Sequence, residues 1–144
     1  MSTARTRTEE QRTIERFRER YGHDPSPAAR AVERAGVGGN VGSNGYTTVA
    51  QAERFAQLLR LRPGMRLLDL GCGQGYPGVY LARKTGCAVV GSDLPMASLR
   101  AARARADDGG RRLAGRSAFV AASAVHPPFR AESFDAIVHT DLLC

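Results

Sequence analysis

The spacing of apolar positions changes along the chain. Between residues 8 and 61 they recur every third or fourth residue, and beyond 65 short apolar blocks alternate with longer amphipathic ones. Thr8-Glu9-Glu10-Gln11 has the pattern of a capping box. With Ile14, Phe17 and Tyr21 it predicts a first helix stopped at Gly22. The apolar stripe of this helix is thin, which suits a lid or an outlying element. Ser26-Pro27 opens a second helix through Arg34, ended by Gly36, with Pro27 where a missing N–H costs nothing. Residues 36–45, GVGGNVGSNG, hold five glycines and two asparagines and predict a mobile loop. Thr48 and Gln51 form another capping box. The helix they open buries Val49, Ala52, Phe55, Ala56 and Leu59 and ends at Arg62-Pro63-Gly64.

From residue 65 the pattern is strand, helix, strand, helix, strand, strand. Apolar blocks at 65–70, 87–94, 117–123 and 135–140 are the strands; 76–86 and 95–108 are the helices, the second closed by Gly109-Gly110. Such alternation predicts an α/β fold with a parallel, doubly wound sheet in three αβα layers, and a ligand at the carboxyl ends of the strands. Residues 1–43 form an N-terminal helical extension with a Gly-rich loop, and 44–144 form the α/β domain. The fourth strand would leave an apolar edge, through which two copies could associate.

Composition narrows the class. The chain has 144 residues, enough for one domain, with 42% hydrophobic and 24% charged residues. No apolar run is long enough to span a membrane, and the N-terminus has no apolar signal region, so a cytoplasmic protein is expected. Cys72, Cys87 and Cys144 lack metal-ligand spacing and read as small apolar residues; no metal is expected. The net charge is +7, and Lys84 is the single lysine. Arg100, Arg103, Arg105, Arg111, Arg112 and Arg116 cluster against Asp107 and Asp108, but no aromatic side chain is interleaved to stack a base. The cluster is read as a solvated helix face, which disfavours a nucleic-acid partner.

The stretch LLDLGCGQGYPG, residues 67–78, carries the chemistry. A glycine turn between strand and helix lets backbone approach a ligand closely. Gly73 to Gly78 formally matches the dinucleotide pattern G-x-G-x-x-G. That pattern should begin where the strand ends, at Gly71, and in that frame its third glycine falls on Tyr76. Asp69, two residues before Gly71, would repel a pyrophosphate and suits a ligand with an ammonium or sulfonium group. Asp93, ending the second strand, can accept from both hydroxyls of a ribose. Leu94 can pack on an adenine face.

LLDLGCGQG followed by VVGSDL resembles the first two motifs of the class I, Rossmann-like S-adenosylmethionine-dependent methyltransferases. FVAASAVHPPFRAESFDAIVHTDLLC resembles their next segment, and NGYTTVAQAERFAQLLRLRPG the helix before the first motif. The resemblance covers about residues 44–144. It implies S-adenosylmethionine as cofactor and a small molecule as methyl acceptor. It implies that Asp69, Gly71, Cys72, Gly73 and Gly75 line the methionine and ribose part. Asp93 would take the ribose hydroxyls, and Leu94, Ser123 and Ala124 the adenine. His139 would face the methyl group and Tyr46 would close over the cofactor. Ser123 stands where the family often has an acid, which removes a charge-assisted bond to the adenine amino group. The family sheet continues beyond four strands, so the sequence is read as the N-terminal half of such a domain, truncated after the fourth strand.

Methyl transfer needs a base only where the acceptor must lose a proton early. His139 and Asp141 are the candidates; His139 also reads as a strand-end residue and Asp141 as a helix cap. A NAD-dependent oxidoreductase domain, a nucleic-acid methyltransferase and an inactive remnant stay open as alternatives.

Overall fold

The computed structural model describes residues 2–21, 23–108, 113 and 115–142. Gly22, Gly109, Gly110, Arg111, Arg112 and Cys144 lie outside them. In chain order the elements are α1 (Ser2–Tyr21), α2 (Pro27–Val37), α3 (Val49–Leu58), β1 (Arg66–Leu70), α4 (Gly78–Thr85), β2 (Ala88–Asp93), α5 (Met96–Asp107), β3 (Ser117–Ala121) and β4 (Ala136–Val138). The four strands form one parallel sheet in the order β3-β2-β1-β4. This is the expected α/β Rossmann-like sheet. The order reverses beside β1, where α/β sheets open a crevice at their carboxyl ends.

Helices cover the central strands, so β1 is buried along most of its length. Leu67, Val79, Leu81 and Val89 are almost fully buried. Each contributes on the order of 1.5–3 kcal/mol relative to exposure. Ala52 is fully buried on α3, with Phe55, Ala56 and Leu59 half-buried against the same core. The Thr48–Gln51 capping box forms as read, with reciprocal bonds of 2.8 and 3.2 Å.

Several boundaries differ from the sequence pattern: α3 ends at Leu58, short of Arg62, and β3 ends at Ala121, short of Ser123. Helix α1 passes straight through Thr8, so the capping box there is not a helix start. Helix α2 continues past Arg34 and Gly36 to Val37 and ends on Gly38 at φ 94, a left-handed residue that satisfies the Arg34 carbonyl. Strand β4 has three residues, so His139 and Thr140 lie just beyond it. Among the described residues β4 stands at one side of the sheet, and Ile137 is 56% exposed.

The 36–45 stretch, expected to be mobile, is folded around charged side chains. Glu33 Oε1 accepts from Val41 N at 3.0 Å and from Ser43 N at 2.8 Å. The arginine cluster is also partly consumed. Arg105 donates to the Gln74 carbonyl, and Arg116 donates to the carbonyls of Gly86 and Cys87. Arg103 pairs with Asp107 one turn on.

Candidate functional site

The loop after β1 uses most of its own amides. Gly71 N and Cys72 N donate to the Ser92 carbonyl at 2.7 and 3.0 Å, Gly75 N donates to the Cys72 carbonyl at 2.8 Å, and Gly73 N donates to Asp93 Oδ2 at 2.6 Å. Gly71, Gly73 and Gly75 all have positive φ, which L side chains rarely adopt. At the start of α4, Pro77 has no N–H to offer, Gly78 N donates to Asp69 Oδ2 at 2.8 Å, and Val79 N donates to the Gly75 carbonyl at 2.7 Å. The helix N-terminus that would hold a pyrophosphate in a dinucleotide site is therefore filled by a carboxylate of the chain itself.

This corrects the position expected for Asp69. It is 1% exposed, lies beneath the loop and lines neither cavity described below. Burial pushes its carboxyl up to about 7; the Gly78 N–H opposes that rise and the nearby Asp93 charge adds to it. Gly75 is likewise internal: a Cβ there would lie 2.9 Å from Val79 Cγ2.

Above the loop is a cavity of about 690 Å³. Gly71, Cys72, Gly73, Asp93, Leu94 and Ala124 line it, and Tyr46 and Asp141 close one side. Burial raises the Asp93 carboxyl, against the Leu94 and Gly73 N–H groups that it accepts. Each Asp93 oxygen keeps lone-pair capacity beyond its one backbone bond. Two residues missed by the sequence pattern also line the cavity: Tyr76, whose hydroxyl is pushed up to about 12 by burial, and Ser92. The Tyr76 Oη and Ser92 Oγ atoms are buried without a hydrogen-bond partner. A carboxylate with spare acceptor capacity in this cleft fits a ligand that carries hydroxyl groups.

A second cavity of about 500 Å³ adjoins the first and shares Leu94, Ala124, Leu142 and Thr13 with it. Its walls are mainly aliphatic, with Ser123 and His139 at the margin and Glu9 and Glu10 reaching in from α1. Ser123 Oγ already accepts from Val125 N at 3.3 Å. His139 lines only this second cavity of the two, together with Ser123, and not the first, where it was expected to face the methyl group. Asp141 lies at the first cavity, but its Oδ2 accepts from Tyr46 N and Thr47 Oγ1 at 3.1 and 3.3 Å. Asp141 thus serves two donors of the chain itself. Helix α1 supplies Thr13, Arg16 and Phe17 to the first cavity, which the thin apolar stripe of this helix only hinted at.

A parallel sheet with this loop, a strand-end aspartate and a polar-to-apolar double cleft defines a Rossmann-like nucleoside-cofactor domain. Comparison with known proteins narrows that class. Residues 67–144 match the family described as "Methyltransferase domain", and the chain belongs to this family. It is 40% identical over 120 residues to the methyltransferase GfsG of Streptomyces halstedii, covering 81% of this chain and 37% of that protein. Among solved structures it resembles a S-adenosylmethionine-dependent methyltransferase from Thiobacillus denitrificans in complex with S-adenosyl-L-homocysteine. There the TM-score is 0.60 and the identity 26%, over 83% of this chain and 45% of the other. It also resembles the [4+2]-cyclase SpnF, with TM-score 0.55 and 30% identity over 61% and 32% of the two chains. The chain thus spans less than half of each of these proteins.

Proposed function

We propose that this chain carries the S-adenosylmethionine site of a cytoplasmic methyltransferase acting on a small-molecule acceptor. The observation that carries the reading is the division of labour between two aspartates. Asp69 fills the anion position at the start of α4, which removes the seat of a dinucleotide pyrophosphate. Asp93 presents its remaining acceptor capacity to the cavity, where a ribose can donate. An oxidoreductase reading loses its phosphate site by the same contact. Membership of the methyltransferase domain family and the likeness to the Thiobacillus denitrificans protein support the choice of cofactor.

When bound, S-adenosylmethionine supplies a methyl group activated by a sulfonium sulfur. In this reading Asp93 orients the ribose, and Leu94 and Ala124, shared by both cavities, guide the adenine into the aliphatic one. The Gly71–Gly73 backbone faces the amino-acid end. Holding donor and acceptor in line is the main contribution the protein can make to such a displacement. The curated relative and the solved structures above are all longer, and we place the greater part of the acceptor site in the region they have beyond this sequence. SpnF shows that this fold also hosts a reaction of another name, so methyl transfer needs its own measurement.

Titration calorimetry with S-adenosylmethionine, S-adenosylhomocysteine and NAD tests the reading. Micromolar to sub-millimolar binding of the first two and none of NAD is expected. A folded chain that takes up no S-adenosylhomocysteine at millimolar concentration, or that prefers NAD, sinks it.

A further inference from the structure

Residues 41–47 form a strap across the first cavity, and Ser43, Asn44, Gly45 and Tyr46 belong to its wall. Three side chains from separate elements fix this strap. Glu33 on α2 accepts the amides of Val41 and Ser43. The Arg105 guanidinium on α5 lies against Gly42, where a Cβ would come within 2.2 Å of Nη2. The third anchor is Asp141, just beyond β4. Its Oδ2 accepts from Tyr46 N and Thr47 Oγ1, and a Cβ on Gly45 would stand 2.0 Å from that same oxygen. The strap backbone therefore lies in contact with the carboxylate. Asp141 itself has φ 55. Aspartate and asparagine enter this left-handed region more readily than other side chains, and backbone held there tends to mark functional positions.

Tyr46 is 91% exposed although its backbone N–H is pinned. The anchor thus fixes where the ring starts, not where it points. We propose that Asp141 is a positioning residue that holds the strap and so sets Tyr46 against a ligand in the cavity. Its oxygen acts as a hydrogen-bond acceptor for two strap donors, not as a base for a substrate proton. The inference rests on the cavity being the cofactor site proposed above.

Asp141→Gly and Asp141→Asn separate the possibilities, since glycine and asparagine both tolerate the left-handed backbone. Two readouts are needed: amide hydrogen exchange at Tyr46 in the free protein, and S-adenosylhomocysteine affinity by calorimetry. Asp141→Gly is expected to speed Tyr46 exchange at least tenfold and to weaken binding about tenfold, with the melting temperature within a few degrees of the parent. Asp141→Asn, whose amide oxygen can accept the same bonds, should stay within about threefold on both. Gly45→Ala, which pushes the strap off the carboxylate, should reproduce the glycine variant, and the double variant should be no worse than either single one. Asp141→Gly behaving as the parent overturns the proposal, as does an asparagine variant that loses as much as the glycine variant. If exchange follows this pattern while even the parent fails to bind S-adenosylhomocysteine, the anchoring role stands and the cofactor reading falls.

Discussion

Two glycine-rich stretches meet at the cavity, and they are built on opposite principles. Residues 71–78 follow β1 and are held mainly by the carboxyl ends of the two central strands: their amides bond to the Ser92 and Cys72 carbonyls and to the Asp93 and Asp69 carboxylates. Residues 36–45 bond internally at one turn, where Ser43 Oγ donates to the Gly45 carbonyl and accepts from Gly45 N. Their shape comes from Glu33, Arg105 and Asp141, on three different elements. Glycine serves both, but differently. In the inner loop it permits backbone angles, and in the outer strap it clears space for charged side chains. The inner loop should therefore govern stability, and the strap should govern binding.

The largest expected effect tests the inner loop through pH. Asp69 is held at about 7 instead of its ordinary 3.8. Because the folded carboxyl is the raised one, it favours folding while protonated, and that contribution drains away as pH rises from about 4 through 7. The interval corresponds to roughly 4 kcal/mol. Urea denaturation between pH 4 and pH 8 should show a fall in stability of that order attributable to this group, flattened in Asp69→Asn. A parallel pH dependence in the two proteins would remove Asp69 as the cause. Next comes Gly78→Ala. Its Cβ would lie 2.6 Å from Asp69 Oδ2 and 2.8 Å from Asp69 Cβ, and overpacking of this kind costs about 1–3 kcal/mol. Equilibrium unfolding at pH 7 measures it.

Effects on binding should be smaller in energy, and at the strap they should move without a change in melting; Asp93, which also holds the Gly73 N–H, belongs to the inner loop and should move both. Asp93→Asn turns an acceptor facing Gly73 N–H and the cavity into a donor. Its S-adenosylhomocysteine affinity should fall tenfold or more in calorimetry. Glu33→Ala releases Val41 and Ser43 at the far end of the strap and should weaken the same affinity only about two- to fivefold. If Glu33→Ala unfolds the protein, or Asp69→Asn alters binding more than stability, the contrast between inner loop and outer strap fails.

The sheet was legible because its signals are local. Apolar blocks of six to eight residues punctuated by amphipathic turns read out β1, β2, β3 and the helices between them. The double aspartate pattern marked the right loop, yet the function of Asp69 did not follow from it. Which side of a strand end a carboxylate takes depends on what packs over it, here the first turn of α4. Tyr76 and Ser92 escaped notice because neither residue type marks a cavity wall in the sequence. The strap was misread for a related reason. Five glycines look like freedom when their partners lie beyond any sequence window, as Arg105 and Asp141 do.

The bond between Tyr46 and Asp141 joins positions 95 apart in the chain. Closing a loop of that length in an otherwise free chain costs about 4 kcal/mol of entropy, more than one or two exposed hydrogen bonds return. Pairing of β4 with β1, which sets Leu67 beside Ala136, has already shortened that loop to a few residues at one end and about twenty at the other. The roof of the cavity is thus favoured where β4 has paired with β1. Ligand that tightens the strap must in turn favour the pairing of that short strand, so occupancy of the cavity and order at the edge of the sheet are two readings of one equilibrium.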